Sequence, residues 1–340
     1  MIKKGISMKK IVFVLVIIAV VSFTIKQESG FSLSGKTNNL ENGTVLYLKD
    51  NLTDKIIDST TVKDNQFVFA TKIDKFPLRV LLYNKAFSQW RDIWLENNQI
   101  FFDASKGDFK NANVTGSQSE NLTQKLYENA STLSFEERNL LEKKFVKDNP
   151  NTIVSAFILS VFAADWGKDY SKRCYERFSG DVKKSEYGKR ISNYITLNKD
   201  VKIGDQYANF VMKDKDGTPK ELSKLIRKVT LLEFWASWCG PCREENPNLV
   251  KNYEKYKLKG FEIVAISLDK DKKKWLAAIE KDGLMWAQFC DFGVWESKTA
   301  LMYGVYALPE NFLIDKNGKI VARNIRGEEL NKKLTELISD

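Results

Sequence analysis

The chain has 340 residues, 43% of them hydrophobic and 12% aromatic, which is enough for packed cores and long enough for two or three domains. Its net charge of +10 comes from lysines interspersed with acids, not from a basic block, so the excess reads as a solvated surface and nucleic acid is not an expected partner. There is no histidine, which excludes Ser-His and Cys-His pairs, His-ligated metals and an imidazole base.

The chain opens with Lys3, Lys4, Lys9 and Lys10 ahead of the apolar run "IVFVLVIIAVVSFTI" at 11–25, the layout of a secretory signal. The run is shorter than the roughly 20 apolar residues of a membrane span, yet no small-x-small cleavage site follows it. Residues 1–27 are therefore either a signal peptide or an N-terminal membrane anchor. Both place the chain from about residue 28 outside the cytoplasm, in the cell envelope or periplasm, where thiols tend to oxidise.

Residues 28–118 form a β-rich segment. "GTVLYLKD", "NQFVFATKI", "PLRVLLYN" and "NQIFFDAS" are short β-branched and aromatic runs between turn-forming clusters, as in a small antiparallel sandwich or barrel. Residues 119–197 turn helical, with Ser119 and Ser134 as expected N-caps and "NTIVSAFILSVFAADWG" as a helix buried in protein. From 198 to 340 strands and helices alternate, which implies a central sheet covered by helices. "VTLLEFW" and "FEIVAISL" are buried-type strands, "ENFLID" and "KIVARNI" flank a turn at Asn317-Gly318, and "GEELNKKLTELI" closes as an amphipathic helix.

The chemistry concentrates in "LLEFWASWCGPCREENP", which holds Cys239 and Cys242. A zinc site needs a second ligand pair, and Cys174 and Cys290 stand apart from each other, so no metal is expected. A staple across two residues gains little loop entropy and exchanges easily, which favours a redox couple. The strand should end just before Cys239 and a helix begin at about Gly240-Pro241, since proline is tolerated in a first turn. Cys239 then sits where free N–H groups favour thiolate and is the expected nucleophile; Cys242, about one turn on, is placed to resolve a mixed disulfide. Glu233 in so apolar a strand should carry a raised pKa if buried, or face solvent if the strand lies at an edge.

The stretch resembles the thioredoxin superfamily, and within it the TlpA/ResA branch, whose motif continues from Cys-x-x-Cys to a Glu and a Pro, here Glu245 and Pro247. Matching features run through 201–340, including "KIGDQYANFVMKDKDG" and "YALPENFLIDKNGKIVA", and the segment near 30–116 is similar to a β-rich domain of unknown function found ahead of such modules. The resemblance implies an α/β thioredoxin fold and an exported thiol:disulfide oxidoreductase, a reductant or isomerase serving envelope thiol repair or cytochrome c maturation. It further implies protein thiol or disulfide substrates, a membrane electron donor, and no cofactor beyond the redox-active Cys239–Cys242 pair.

By the same resemblance Pro309 is a cis-proline facing the cysteines, Leu308 offers backbone groups to a substrate strand, and Glu233 exchanges the proton of Cys242. Trp238, Gly240 and Pro241 line the contact face. Glu245 is either a modulator of the exchange or a helix-dipole stabiliser. Two departures stand out: no lysine in "FEIVAISL" is available to hold the charge of Glu233, and Glu310 after Pro309 puts an acid beside the substrate groove. Two rival readings remain. A peroxiredoxin would want Pro and Thr where this chain has Leu232 and Ala236. A surface binding protein would use residues 30–197 to dock a partner, with the redox module auxiliary.

Overall fold

A computed structural model describes residues 31–75 and 77–339, so the expected signal or anchor over 1–27 lies outside the described residues. The chain divides into two compact units between Ser117 and Gln118.

The first unit holds β1 (Ser32–Lys36), β2 (Val45–Asp50), β3 (Ile56–Thr61), β4 (Gln66–Phe69), β5 (Leu78–Asn84), β6 (Trp90–Leu95), β7 (Gln99–Asp103) and β8 (Asn113–Thr115). They form two four-stranded sheets, β4-β1-β7-β8 and β3-β2-β5-β6. All pairs are antiparallel except β1 with β7, which run parallel. Alternation builds the sandwich: Leu46 and Leu48 point inward from β2, and Leu33, Phe67, Phe69 and Phe102 meet them from the other sheet in a single apolar core. Gly116 closes the unit at φ +92°, where a Cβ would lie 2.1 Å from the carbonyl oxygen of Gln99.

The second unit begins with α1 (Gln118–Tyr127), α2 (Phe135–Asp148), α3 (Ile153–Trp166), α4 (Lys168–Glu176), α5 (Gly180–Lys184) and α6 (Glu186–Leu197). Ser134 caps α2 in a reciprocal capping box with Glu137, whereas Ser119 falls inside α1 and not ahead of it. The apolar α3 buries Val154, Ala156, Ile158 and Leu159.

The same unit continues through β9 (Val211–Lys213), β10 (Pro219–Glu221), α7 (Leu222–Leu225), β11 (Val229–Trp235), α8 (Gly240–Tyr256), β12 (Phe261–Ser267) and α9 (Lys272–Asp282). It ends with β13 (Ala287–Cys290), α10 (Lys298–Tyr303), β14 (Glu310–Asp315), β15 (Ile320–Arg323) and α11 (Gly327–Ser339). The main sheet has the order β13-β12-β11-β14-β15; β12 runs parallel to both β11 and β13, while β14 is antiparallel to β11 and to β15. As the central strand, β11 is buried at every residue. Leu231 and Trp235 face a core completed by Leu249, Trp275, Leu330 and Leu334, and Leu232 and Phe234 face a second core with Ala300 and Tyr303. The helices that precede the sheet join it directly, since the Asn198 amide donates to the Leu301 carbonyl (3.1 Å) and the Lys199 N–H to that of Met302 (2.9 Å).

Gly116→Ala is expected to destabilise the first unit by at least about 2 kcal/mol, measured by chemical denaturation, because both its φ and its contact with a backbone carbonyl oppose any side chain.

Candidate active site

The turn from β11 into α8 shapes the site. Trp235 ends the strand in the core, and Cys239 is the N-cap of α8, with φ −83° and ψ 100°. Its Sγ accepts a hydrogen bond from the Cys242 N–H at 3.2 Å, so the open end of the helix points at this sulfur. Pro241 sits in the first turn, where its missing N–H removes no helical bond. Cys239 and Cys242 are joined as a disulfide and both are buried, whereas Trp238 is 54% exposed and Gly240 and Pro241 are exposed. These three residues are thus the solvent-exposed neighbours of the cysteines in the chain.

The loop ahead of Cys239 is clamped from two sides. The buried Asp269 accepts from the Ser237 N–H (2.8 Å) and hydroxyl (2.5 Å) and from the Ser267 hydroxyl (2.7 Å). Arg243 donates to the Ser237 carbonyl (3.0 Å) and pairs with Asp282, which also accepts from the Asn246 amide (2.7 Å). Asp269 and Arg243 escaped the sequence reading. Arg243 adjoins the second cysteine, but only the fold shows that it reaches back to Ser237.

Glu233 is 4% exposed, on the face of β11 that carries Leu231 and Trp235, opposite Asn311 of β14 and Ala265 of β12. The solvent-facing alternative is thereby corrected: β11 is central, with a partner on each side. This carboxyl is raised to about 8, chiefly by burial; the Asn311 amide and the Arg326 guanidinium pull against that shift, and the charges of Glu245 and Glu310 add to it. Its Oε2 has no hydrogen-bond partner. Arg326 is the cation that "FEIVAISL" lacks. It comes from the residue just before α11, and it also donates to the Pro309 carbonyl.

The Leu308–Pro309 peptide bond is cis, and Leu308 packs against the core that includes both cysteines. Glu310 does not line a groove beside it. It is 3% exposed and bound to Arg323 and the Asn324 amide, and on β14 it stands opposite Phe234 of the central strand. Glu245 accepts from the Gly327 N–H (2.9 Å) and the Asn248 amide (2.8 Å), so it caps the start of α11; the first turn of α8 holds no acid, which corrects the helix-dipole alternative. Cys174 and Cys290 are free and buried, and burial raises both thiols, that of Cys290 to about 11. Among the described residues no cluster of three or more Cys, Asp or Glu is placed to hold a metal ion.

A disulfide whose first sulfur caps a helix and directly follows an exposed Trp is equipped for exchange with another disulfide. Residues 203–323 match the AhpC/TSA family, and residues 31–123 match a domain of unknown function, DUF4369. The chain is 37% identical over 145 residues to the thiol-disulfide oxidoreductase ResA of Bacillus thuringiensis, covering 43% of this chain and 82% of that one. It is 32% identical over 149 residues to ResA of Halalkalibacterium halodurans, covering 43% and 83%. A solved thiol-disulfide oxidoreductase from Bacteroides fragilis is 42% identical, with 39% of this chain and 99% of that one covered at a TM-score of 0.37. With a helix-capping Cys239–Cys242 pair on a thioredoxin-fold sheet and this likeness over most of the length of its relatives, the chain belongs to the ResA family of thiol-disulfide oxidoreductases.

Proposed function

We propose that the chain is an exported reductant or isomerase of protein disulfides, with Cys239 as nucleophile, Cys242 as resolving thiol and Glu233 as the proton carrier between them. The observation that carries this reading is the Cys242 N–H directed at the Cys239 sulfur from the first turn of α8. That placement stabilises a thiolate on Cys239, and the thiolate is the attacking species. Cys239 attacks one sulfur of a substrate disulfide, forms a mixed disulfide and releases the other substrate sulfur as thiolate. Glu233 takes the proton of Cys242, whose thiolate then displaces the second substrate sulfur and leaves the Cys239–Cys242 disulfide. Two electrons pass to the substrate, and a thiol donor must restore them. An electron-carrying membrane protein suits a chain with an export signal.

A carboxyl lifted to about 8 is matched to this task, because it accepts and returns a proton near neutral pH. Trp238, Gly240 and Pro241 form the contact face, Leu308 and Pro309 meet the substrate backbone, and Glu245 tunes Glu233 through its charge while holding α11 in place. No helix among the described residues is long and apolar enough to cross a membrane, so an anchor, if used, is the run at 11–25. Cytochrome c maturation and general envelope thiol repair are both tasks of this chemistry.

Cys239→Ser is expected to abolish insulin reduction, and Cys242→Ser to accumulate a mixed disulfide that non-reducing electrophoresis displays and mass spectrometry identifies. Equilibration with glutathione should give a potential near thioredoxin's, about −270 mV; a value above about −150 mV would overturn the assignment as reductant.

Glu233 makes a further, signed prediction. Folded, it stays protonated up to about pH 8; unfolded, it ionises near its model value of 4.5, so unfolding releases a proton throughout that window. Stability of the oxidised protein should therefore fall as pH rises from 4.5 to 8. The Glu233→Gln variant should lack this slope, gaining on the order of 3 kcal/mol over the parent at pH 7 and nothing at pH 4, in denaturant titrations. It should also slow resolution of the mixed disulfide.

A further inference from the structure

The rings of Trp238, the residue before Cys239, and Trp295 meet edge to face, with centroids 6.2 Å apart. Both are largely open to solvent, 54% and 40% exposed, although aromatic rings of this size are usually covered. Trp295 lies on the segment between β13 and α10, which is held in an unusual shape. Phe292 and Val294 adopt left-handed backbone conformations, φ 57° and 52°, a region that a β-branched residue such as Val294 enters only against steric strain. The surroundings fix this shape. Asp291 accepts from the Gly293 N–H and the Lys298 N–H, both at 3.1 Å, and the Glu296 N–H donates to the Gly293 carbonyl at 2.8 Å.

The remaining anchor comes from the helices before the sheet. Arg190 of α6 pairs with Glu296, the neighbour of Trp295, at 3.2 Å. The Asn198 amide and Lys199 N–H, just after α6, hold the end of α10 through the carbonyls of Leu301 and Met302. A strained loop that carries an uncovered aromatic residue to the ring next to the reactive cysteine, and is braced from a separate element, has the features of a recognition device and not of a core contact.

We propose that Trp295 is a specificity-determining residue: with Trp238 it clasps an apolar or aromatic side chain next to the substrate's disulfide cysteine, and α6 positions it through the Arg190–Glu296 pair. The occupant is a protein segment bearing a disulfide, because one half of the clasp, Trp238, adjoins the cysteine where exchange takes place. This inference rests on the exchange reading above and assigns the helical segment the task of setting substrate choice.

The test follows oxidation of the pre-reduced 340-residue chain by three disulfides: a peptide with Phe beside each cysteine, the same peptide with Asn there, and 2-hydroxyethyl disulfide. The parent should prefer the Phe peptide. Trp295→Ala should lower the second-order rate constant on that peptide about tenfold and on the other two by less than about twofold, while Trp295→Phe keeps most of the preference. Arg190→Met should cut the preference about threefold, and the exchanged pair Arg190→Glu with Glu296→Arg should restore it. An equal loss on all three disulfides in Trp295→Ala, or a parent without preference, overturns the clasp. A preference untouched by Arg190→Met, or not restored by the exchanged pair, overturns the positioning. A parent that exchanges with none of the three overturns the exchange reading itself, a result distinct from the others.

Discussion

Asp269 governs the turn on which this site is built. A helix whose first N–H groups point at Cys239 must begin abruptly after a buried strand, which leaves the residues between them without regular hydrogen bonds. The buried carboxyl of Asp269 supplies partners for the Ser237 N–H and hydroxyl, and Arg243 satisfies the Ser237 carbonyl. Each such group left unmet in a buried turn would cost about 1–3 kcal/mol. The same bonds set where Trp238 projects and where α8 starts, so the orientation of the helix end toward the sulfur depends on them.

Glu233 illustrates a different use of burial. The period-two geometry of β11 places it on the face of Leu231 and Trp235, where a charged carboxylate is unfavourable. The fold neither neutralises it with a salt bridge nor removes it from the core. It surrounds the carboxyl with Asn311 and Arg326 on one hand and Glu245 and Glu310 on the other, so that the raised pKa reflects opposing influences. Glu245 and Glu310 are each committed elsewhere, to the start of α11 and to Arg323. Elements far apart in the chain thus determine the acidity of a single group.

The helices α1–α6 are part of the same compact unit as the sheet. Arg190 of α6 reaches Glu296 in the segment after β13, and Asn198 and Lys199 reach the end of α10. This gives them a place in the chemistry that their composition does not announce.

Much of the site was legible in the chain because its signals are local. Cys-Gly-Pro-Cys after an unbroken apolar strand forecasts a helix that opens at the cysteines; α8 begins at Gly240. Asn317-Gly318 between two β-type runs forecasts a tight reversal, and Gly318 adopts φ 80° there between β14 and β15. In the first unit β2, β4, β5 and β7 were readable as β-branched and aromatic runs, whereas β1, β3, β6 and β8 were not, because they are short or carry polar and charged residues among the strand formers and only pairing settles them.

The order of residues alone determined the reactive pair, the strand and helix that carry it, and the class of exchange they perform, since each depends on neighbours a few positions away. Tertiary structure decided that Glu233 lies in the centre of the sheet, that Glu310 turns inward, that Arg326 supplies the missing cation, and that Trp295 reaches Trp238. Those facts depend on contacts across long separations in the chain, and they exist only once the sheet has ordered its strands and burial has set the local charge.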